Sequence, residues 1–142
     1  MPRFTPYVTV FLLLLKDDAV LLMRRQNTGW GDGNYDLVAG HIEGNEHLTT
    51  AVVREAKEEI GIDINPADAR FAHLAHCLGD KEYMHVTFAV TDWRGDPAIQ
   101  ETDKCNDLQW FRLDRLPPNI TPGTRAVLEA YNAGTAYSEI HT

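Results

Sequence analysis

The sequence predicts a mixed α and β fold in which helices cover a sheet. Short runs of apolar or alternating residues, typical of strands, come before and after one amphipathic helix, and a second helix follows near the end of the chain. With 142 residues and 44% hydrophobic content, the chain can bury one sizeable core. We therefore expect a single domain over residues 1–142.

Glycines, prolines and polar turns divide the chain into these elements. The predicted strands are Tyr7 to Leu15, Ala19 to Arg25, Tyr35 to Ala39, Phe71 to Leu78, Tyr83 to Val90 and Leu108 to Arg112, and the predicted terminal helix is Thr121 to Ala133. The first two strands are expected to form a hairpin. A loop with three glycines, residues 26–34, follows them, and the tail from Thr135 is expected to fray.

The stretch from Gly40 to Ile62 places several carboxylates close together. It reads GHIEGNEHLTTAVVREAKEEIGI, and Glu55, Glu58 and Glu59 share one face of a helix because they are three and four residues apart. Like charges on one face repel unless a cation lies between them, and carboxylate oxygens are preferred ligands of Mg²⁺ and Mn²⁺. From the charges alone, a metal site and a solvated acidic face both stay open.

Other residues of this stretch indicate a helix that packs against the rest of the protein. Its apolar positions recur every four residues, at Leu48, Val52, Ala56 and Ile60. Gly61 follows where a left-handed C-cap is needed, and Gly40 and Gly44 predict a sharply bent loop with a close backbone approach. Arg54, adjacent to Glu55 and four residues before Glu58, is expected to pair with a carboxylate and fix its rotamer.

Taken whole, the stretch resembles the Nudix box, G-x5-E-x7-R-E-U-x-E-E-x-G-U, in which U is aliphatic. The fixed positions are filled by Gly40, Glu46, Arg54, Glu55, Glu58, Glu59 and Gly61, and the aliphatic ones by Ala56 and Ile62. The preceding segment RRQNTGWGDGNYDLVAGHIE is similar to the NTGxxDGxY variant of small MutT-like members. The family's usual Leu-Pro-Gly-Gly sequence stands here as Leu37-Val38-Ala39-Gly40.

This resemblance implies the Nudix fold, an α/β/α sandwich around a mixed central sheet. It also implies hydrolysis of a phosphoanhydride by a water activated on Mg²⁺, with Mn²⁺ as a substitute. Glu55, Glu58 and Glu59 are expected to share metal ligation and base duty, helped by the carbonyl of Ala39. We assign Glu55 and Glu59 to the metal and Glu58 to a more peripheral position.

Two further residues of the box are expected to support these carboxylates. Arg54 is a catalytic candidate because it would orient the glutamates, and Glu46 is expected to stabilise the loop and the start of the helix. Outside the box, Glu101 is a candidate further metal ligand, as loop acids are in some relatives. A solvated loop acid is the alternative for Glu101.

Candidate substrate-binding residues lie near the strand ends and in the loops. They are Arg24 and Arg25 for phosphate, Trp30 and Tyr35 for stacking on a base, and Asn119 for a base edge. Each has an ordinary alternative: a solvated strand end, an aromatic packed on its own domain, or a turn residue.

The resemblance favours a nucleoside triphosphate as substrate, cleaved to a monophosphate and pyrophosphate. Relatives specific for NADH carry an SQPWPFPxS-like array after the box, and the chain has none. Two alternatives stay open. One is cleavage of nucleoside diphosphate conjugates such as ADP-ribose, and the other is a nucleotide-binding module without catalysis.

Charge and cysteine content restrict the partners and the compartment. The net charge of −8 argues against binding to nucleic acid polymers or acidic membranes, so a small nucleotide is the expected partner. Two cysteines without a signal peptide favour a cytoplasmic location. The run Val8 to Leu15 is too short to span a bilayer, which takes about 20 apolar residues. Small relatives are often dimeric, but no segment here identifies a homodimer interface.

Overall fold

A computed structural model describes residues 2–141. Within them the chain forms eight strands, two α-helices and a short 3₁₀ helix at Pro66–Asp68. The strands are β1 (Tyr7–Lys16), β2 (Ala19–Arg25), β3 (Tyr35–Asp36), β4 (Val38–His41), β5 (Arg70–Leu78), β6 (Tyr83–Val90), β7 (Cys105–Arg112) and β8 (Tyr137–His141), and the helices are α1 (Leu48–Ile60) and α2 (Pro122–Asn132).

The larger part of the sheet is mixed and follows the order β4-β1-β6-β5-β8. Strand β1 pairs in parallel with β6 from Tyr7 to Leu14, and antiparallel with β4. Strand β5 runs antiparallel to β6 and parallel to β8. The predicted mixed central sheet is therefore confirmed.

The predicted hairpin of β1 and β2 forms only at its closed end. The two strands pair at Leu15 with Val20 and at Lys16 with Ala19, and they then diverge. Beyond that point β2 pairs antiparallel with β3 on one side and with β7 on the other. The sheet therefore splays into two parts, and β2 and β4 both contribute residues to the cleft described below.

Helix α1 covers one face of the sheet with the predicted apolar stripe. Val52, Ala56 and Ile60 of that stripe are buried, together with Ala51, whereas Leu48 is only partly buried. They share a core with alternate residues of β1 and β6, which include Val10, Leu12, Val86 and Phe88. Gly61 ends the helix in the left-handed conformation, at φ 70°, and its N–H donates to the carbonyl of Lys57. Burial of the apolar stripe therefore turns the acidic face of α1 toward the edge of the sheet.

Helix α2 covers the opposite face and completes the sandwich. It begins with Pro122 directly after Thr121, where the fixed φ of proline suits the first helical turn. Val127 and Leu128 are buried against Leu13, Leu22 and Leu37, among other residues of the second core. The predicted α/β/α sandwich is confirmed, with one helix on each face.

Three parts of the sequence prediction differ from the structure by more than one residue. The expected strand Tyr35 to Ala39 is two strands, because β3 pairs with β2 while β4 pairs with β1. Strand β7 begins at Cys105, three residues earlier than predicted. The prediction of a fraying tail is wrong, since Tyr137–His141 forms β8 and pairs with β5 from Leu74 to Leu78.

Membrane insertion through a helix finds no support in the fold. Neither of the two α-helices formed by residues 2–141 has the length and apolar character needed to cross a bilayer.

Candidate active site

A cleft of about 480 Å³ lies where α1, β4 and the ends of β2 and β7 meet. Several residues proposed from the sequence share its wall, namely Ala39, Glu55, Glu59, Glu101 and Arg25. The helix supplies Glu55 and Glu59 one turn apart, while Glu101 reaches the cleft from the loop before β7. The structure thus brings the loop acid and two glutamates of the box together.

Glu55 occupies space that is open only because Gly40 has no side chain. A Cβ atom on Gly40 would lie 2.1 Å from both Cδ and Oε1 of Glu55. Gly40 lies on β4 rather than in the predicted bent loop. Because it has no side chain, the backbone of β4 can approach the carboxylate of Glu55 closely. Burial raises the pKa of Glu55, and the neighbouring charges of Glu58 and Glu101 add to that, whereas Arg54 opposes it.

Glu59 lines the same cleft one turn further along α1. Its Oε2 accepts a hydrogen bond from the backbone N–H of Ala39, at 3.2 Å. Burial, followed by the charges of Glu55 and Glu101, raises the pKa of Glu59 to about 8. Without a cation nearby, this side chain therefore holds its proton at neutral pH.

Arg54 joins the loop before α1 to the glutamates of the helix. Its Nη2 donates to Glu46 at 3.0 Å and to the carbonyl of His41 at 3.2 Å, and its Nη1 donates to Glu55 at 2.8 Å. Glu46 in turn accepts from the backbone N–H of Glu43 at 2.8 Å. Hydrogen bonds from Arg54 lower the pKa of Glu46. Arg54 therefore fixes the carboxylate of Glu55 and ties the loop to the helix.

Glu58 is separated from the other two glutamates of the helix. Its side chain is 51% exposed, and its carboxylate lies 3.5 Å from Arg54 Nη1. It is not among the residues that line the cleft, as residues 2–141 define it. The structure therefore places Glu58 at the periphery, and Glu55 and Glu59 at the centre.

The oxygen donors of the cleft fit a hard divalent cation. No three acidic, histidine or cysteine side chains within residues 2–141 form a group that could hold a metal ion by themselves. Mg²⁺ does not need such a group, because it keeps several waters and usually binds one or two carboxylates together with substrate phosphates. Glu55 and Glu59 provide that pair, and their mutual repulsion is what a cation would relieve.

Arg25 lines the cleft, but its guanidinium group is engaged by neighbouring residues. Nη1 donates to Asp36 at 3.2 Å, Nη2 to the hydroxyl of Thr28 at 3.0 Å, and Nε to the carbonyl of Trp30 at 2.8 Å. The exposed Trp30 ring lies beside the same group, 4.9 Å from its Cζ. Arg25 therefore holds the glycine-rich loop in place, which disagrees with the predicted phosphate-binding role.

The other substrate-binding candidates outside the box do not line the cleft formed by residues 2–141. Tyr35 is only 5% exposed and its hydroxyl donates to Asp107, so the structure does not support stacking on a base. Arg24 donates to Asn106 at 2.7 Å. The side-chain amide of Asn119 donates to the carbonyl of Gly33 at 2.9 Å, which gives it a role in the loop.

Of the cleft-lining residues that the sequence does not single out, Asp36 and Lys104 are the two with an acidic or a basic side chain of full charge. Asp36 is buried and accepts hydrogen bonds from Arg25 and from the hydroxyl groups of Thr121 and Thr124. Through Arg25 it connects the glycine-rich loop, residues 26–34, with the start of α2. Lys104 lines the cleft from the same loop as Glu101. The sequence offers one indication for Lys104, since it follows the candidate metal ligand Glu101 by three residues.

Comparison with known proteins identifies the family. A family model described as NUDIX domain matches residues 3–131. Among curated proteins, the NAD-capped RNA hydrolase NudC of Pseudomonas aeruginosa (strain LESB58) is 31% identical over 131 residues. That match covers 89% of this chain and 42% of the relative, so the chain spans less than half the length of the relative.

Solved structures show the same fold. A MutT NUDIX hydrolase from Burkholderia pseudomallei superimposes with a TM-score of 0.81 at 27% identity, over 89% of this chain and 98% of the other. A NUDIX hydrolase from Nitrosomonas europaea gives 0.76 at 26% identity, over 94% and 93%. The predicted fold and the predicted family are both confirmed. The chain belongs to the Nudix hydrolase family.

Proposed function

We propose that this chain hydrolyses a phosphoanhydride bond of a small nucleotide, and that its substrate is a nucleoside triphosphate cleaved to a monophosphate and pyrophosphate. The observation that carries this proposal is the convergence of Glu55, Glu59 and Glu101 on one cleft. Arg54 pairs with Glu46 and Glu58 outside the cleft and with Glu55 at its wall, and the charges of Glu55 and Glu101 help to raise the pKa of Glu59. The cleft therefore has excess negative charge, which a bound divalent cation would offset.

Glu55 and Glu59 would hold Mg²⁺, with Glu101 and the carbonyl of Ala39 beside them, and Mn²⁺ shares the same preference for oxygen donors. Bound there, the metal would supply charge neutralisation of the phosphates and a water of lowered pKa. Arg54 holds Glu55 in one rotamer, and the N–H of Ala39 holds Glu59. Both carboxylates are thus fixed before the substrate arrives.

Hydrolysis also requires a group that accepts the proton of the attacking water. The water oxygen bonds to phosphorus, the bridging oxygen leaves with one product, and the proton passes to a carboxylate. We assign this role to Glu55, which would share metal ligation and base duty, because it lines the cleft with its carboxylate oriented by Arg54, and burial raises its pKa. Glu58 is the less favoured candidate, since it is half exposed and turned toward Arg54.

A second candidate substrate is a nucleoside diphosphate joined to another group, such as ADP-ribose or a NAD-like dinucleotide. The name of the curated relative, NAD-capped RNA hydrolase, favours it. The triphosphate is preferred because the chain lacks the NADH-type array and spans less than half of that relative. A long RNA is disfavoured by the net charge of −8. The intact box argues against a binding module without catalysis.

Product identity separates these candidates. Each nucleoside triphosphate, ADP-ribose and NAD is incubated with the chain in Mg²⁺, in Mn²⁺ or in chelator, and the products are resolved by anion-exchange chromatography. We expect monophosphate and pyrophosphate from at least one triphosphate, dependent on metal. Two monophosphate-bearing products from a conjugate would establish the second candidate instead. Tight nucleotide binding without turnover of any compound would contradict both.

The wider organisation of the protein belongs to the same proposal. A single domain over residues 1–142, a cytoplasmic location and a small nucleotide partner all remain predictions, as does a homodimer. A fragment beginning at Arg3 and ending at Tyr131 covers the matched family region but removes β8. Comparing it with the full chain by thermal unfolding would show whether the tail belongs to the folding unit.

A further inference from the structure

Within residues 2–141, two side chains with a full positive charge line the cleft, and they differ in what they contact. These are Arg25 and Lys104. Each type of guanidinium nitrogen of Arg25, Nε, Nη1 and Nη2, donates a hydrogen bond to the protein itself. These bonds use three of the five guanidinium N–H groups and tie Arg25 to the wall of the cleft, so fewer of its donors are open to an incoming ligand.

The backbone of Lys104 is fixed beside the candidate metal ligand Glu101. Its N–H donates to the carbonyl of Glu101 at 3.1 Å, and its carbonyl accepts from the N–H of Gln26 at 2.9 Å. The side chains of Gln26 and Asn27 donate to two more carbonyls of the same turn, at 2.9 and 3.0 Å. The turn is therefore pinned to the glycine-rich loop, and the base of the Lys104 side chain has a defined position.

The ammonium group of Lys104, in contrast, has no protein partner within the described part of the chain. No carboxylate there lies within 4.0 Å of its Nζ, although Glu101 is three residues away. Lys57 on the exposed face of α1 differs, since it pairs with Asp63 at 3.1 Å. A cleft-lining cation on a fixed backbone with a free head group is suited to an anion that arrives from solution.

A polyphosphate that enters the cleft meets several negative charges. Asp36, Glu55 and Glu101 line it, as does Glu59, which would lose its proton beside a bound cation, and the whole chain carries a net charge of −8. One divalent cation offsets only part of this charge, so a further cation on the protein would contribute directly to substrate affinity. A lysine ammonium is a compact charge with three donors on a flexible stem, which suits phosphate oxygens in varied positions.

We propose that Lys104 is a phosphate-binding residue of the cleft and that its ammonium group contacts phosphate oxygens of the substrate. The inference rests on the proposed function, because it assigns a role toward the same class of substrate. Lys104 acts on binding and leaves the reacting atoms to the glutamates. Its loss therefore raises KM far more than it lowers kcat.

The test uses the full chain and inorganic tripolyphosphate, a probe that is independent of the nucleoside. Binding is measured by isothermal titration calorimetry in Mg²⁺ and in chelator, for wild type, Lys104→Met, Lys104→Arg and the control Lys57→Met. We expect Lys104→Met to weaken binding about tenfold, the value of one charge-assisted hydrogen bond. Lys104→Arg should retain most of the affinity, and Lys57→Met, which changes net charge equally, should retain all of it.

A Lys104→Met variant that binds tripolyphosphate as tightly as wild type would overturn the inference. Equal losses for Lys57→Met would also overturn it, because they would show a general charge effect. So would a wild-type chain that does not bind the probe. If tripolyphosphate binding depends on Lys104 while no nucleotide is hydrolysed, the proposed function fails and this inference stands. If a triphosphate is hydrolysed and Lys104→Met leaves its KM unchanged, the proposed function stands and the inference on Lys104 fails.

Discussion

Gly40 is separated from Glu55 by a space too small for a methyl group. Its absent Cβ would lie 2.1 Å from the carboxylate, which is the far end of a side chain that can rotate away. Gly40→Ala should therefore fold, with a thermal midpoint close to that of wild type, but with Glu55 displaced. We expect kcat/KM to fall at least about 100-fold, as misplacements near 1 Å do at reacting groups.

Gly44→Ala is the matched control for this change. Gly44 adopts φ +85°, and a Cβ atom there would contact nothing within 4 Å. Alanine in this conformation costs stability, about 1 to 2 kcal/mol, without touching a carboxylate. Gly40→Ala should therefore lose activity while it keeps its stability, and Gly44→Ala should lose stability while it keeps its activity. Full activity of Gly40→Ala would show that Glu55 does not need its present position.

Glu59 gives a stability prediction that does not depend on activity. Its pKa rises from 4.5 to about 8 in the folded chain, so the charged form is disfavoured by folding. The resulting loss of stability is absent below about pH 4.5, grows as the pH rises and is complete above about pH 8. Glu59→Gln is neutral throughout. In chelator, its thermal midpoint should match wild type at pH 5 and exceed it by several degrees at pH 9.

Glu58→Gln serves as the comparison for Glu59, since it removes one charge from the same helix at an exposed position. It should change the midpoint little at either pH. A Glu59→Gln variant that is no more stable than wild type at pH 9 would mean that the carboxylate is not buried against like charges.

At the scale of elements, Arg54 couples α1 to the loop that precedes it. It is 21% exposed and contacts Glu46, Glu55 and the carbonyl of His41. Arg54→Met should lower the free energy of unfolding by about 2 kcal/mol, because partly buried carboxylates lose their partner, and should lower kcat as well. Arg54→Lys should recover part of the stability, since one ammonium cannot reach all of these groups.

Arg112 offers a control for the same substitution. It pairs with Asp114 through two hydrogen bonds, but its side chain is 63% exposed. Exposed pairs contribute less than about 1 kcal/mol, so chemical denaturation of Arg112→Met should show a small change. Equal losses for both variants would contradict the role of Arg54 as the link between loop and helix.

The sequence predicted some elements better than others for physical reasons. Helix α1 has its stripe and cap within one local stretch, and it appears as expected. Strand β8 reads YSEIH, with exposed and half-buried positions alternating, and its partner β5 is some sixty residues away. Tyr35 to His41 divides between two partners, β2 and β1, that local sequence does not distinguish.

Residues of the site likewise differ in whether local sequence or tertiary packing determines their position. Glu55 and Glu59 could be proposed because helical spacing alone brings them together. Arg25 donates to Asp36, Thr28 and the carbonyl of Trp30, and the sequence does not reveal these contacts because they depend on how the loop folds back. Lys104 was missed since only tertiary packing of two loops places it in the cleft.

At the scale of the whole molecule, divergence of the sheet creates the site. Strand β1 continues beside β6 and β4, while β2 leaves it to pair with β3 and β7. Residues from both parts, with α1 at one end, enclose the acidic cleft. The two apolar cores hold these parts in place, so Glu55 and Glu59 are positioned by a packed helix, whereas Glu101 comes from the loop before β7.

The most direct test of the account compares Glu59→Gln with Glu58→Gln in Mg²⁺-dependent release of pyrophosphate, once a substrate has been found. Both variants should fold, as circular dichroism would show. We expect kcat/KM to fall more than about 100-fold for Glu59→Gln and less than about tenfold for Glu58→Gln, because Glu59 lines the cleft and Glu58 does not. A folded Glu59→Gln variant with wild-type turnover would contradict the assignment of the active site.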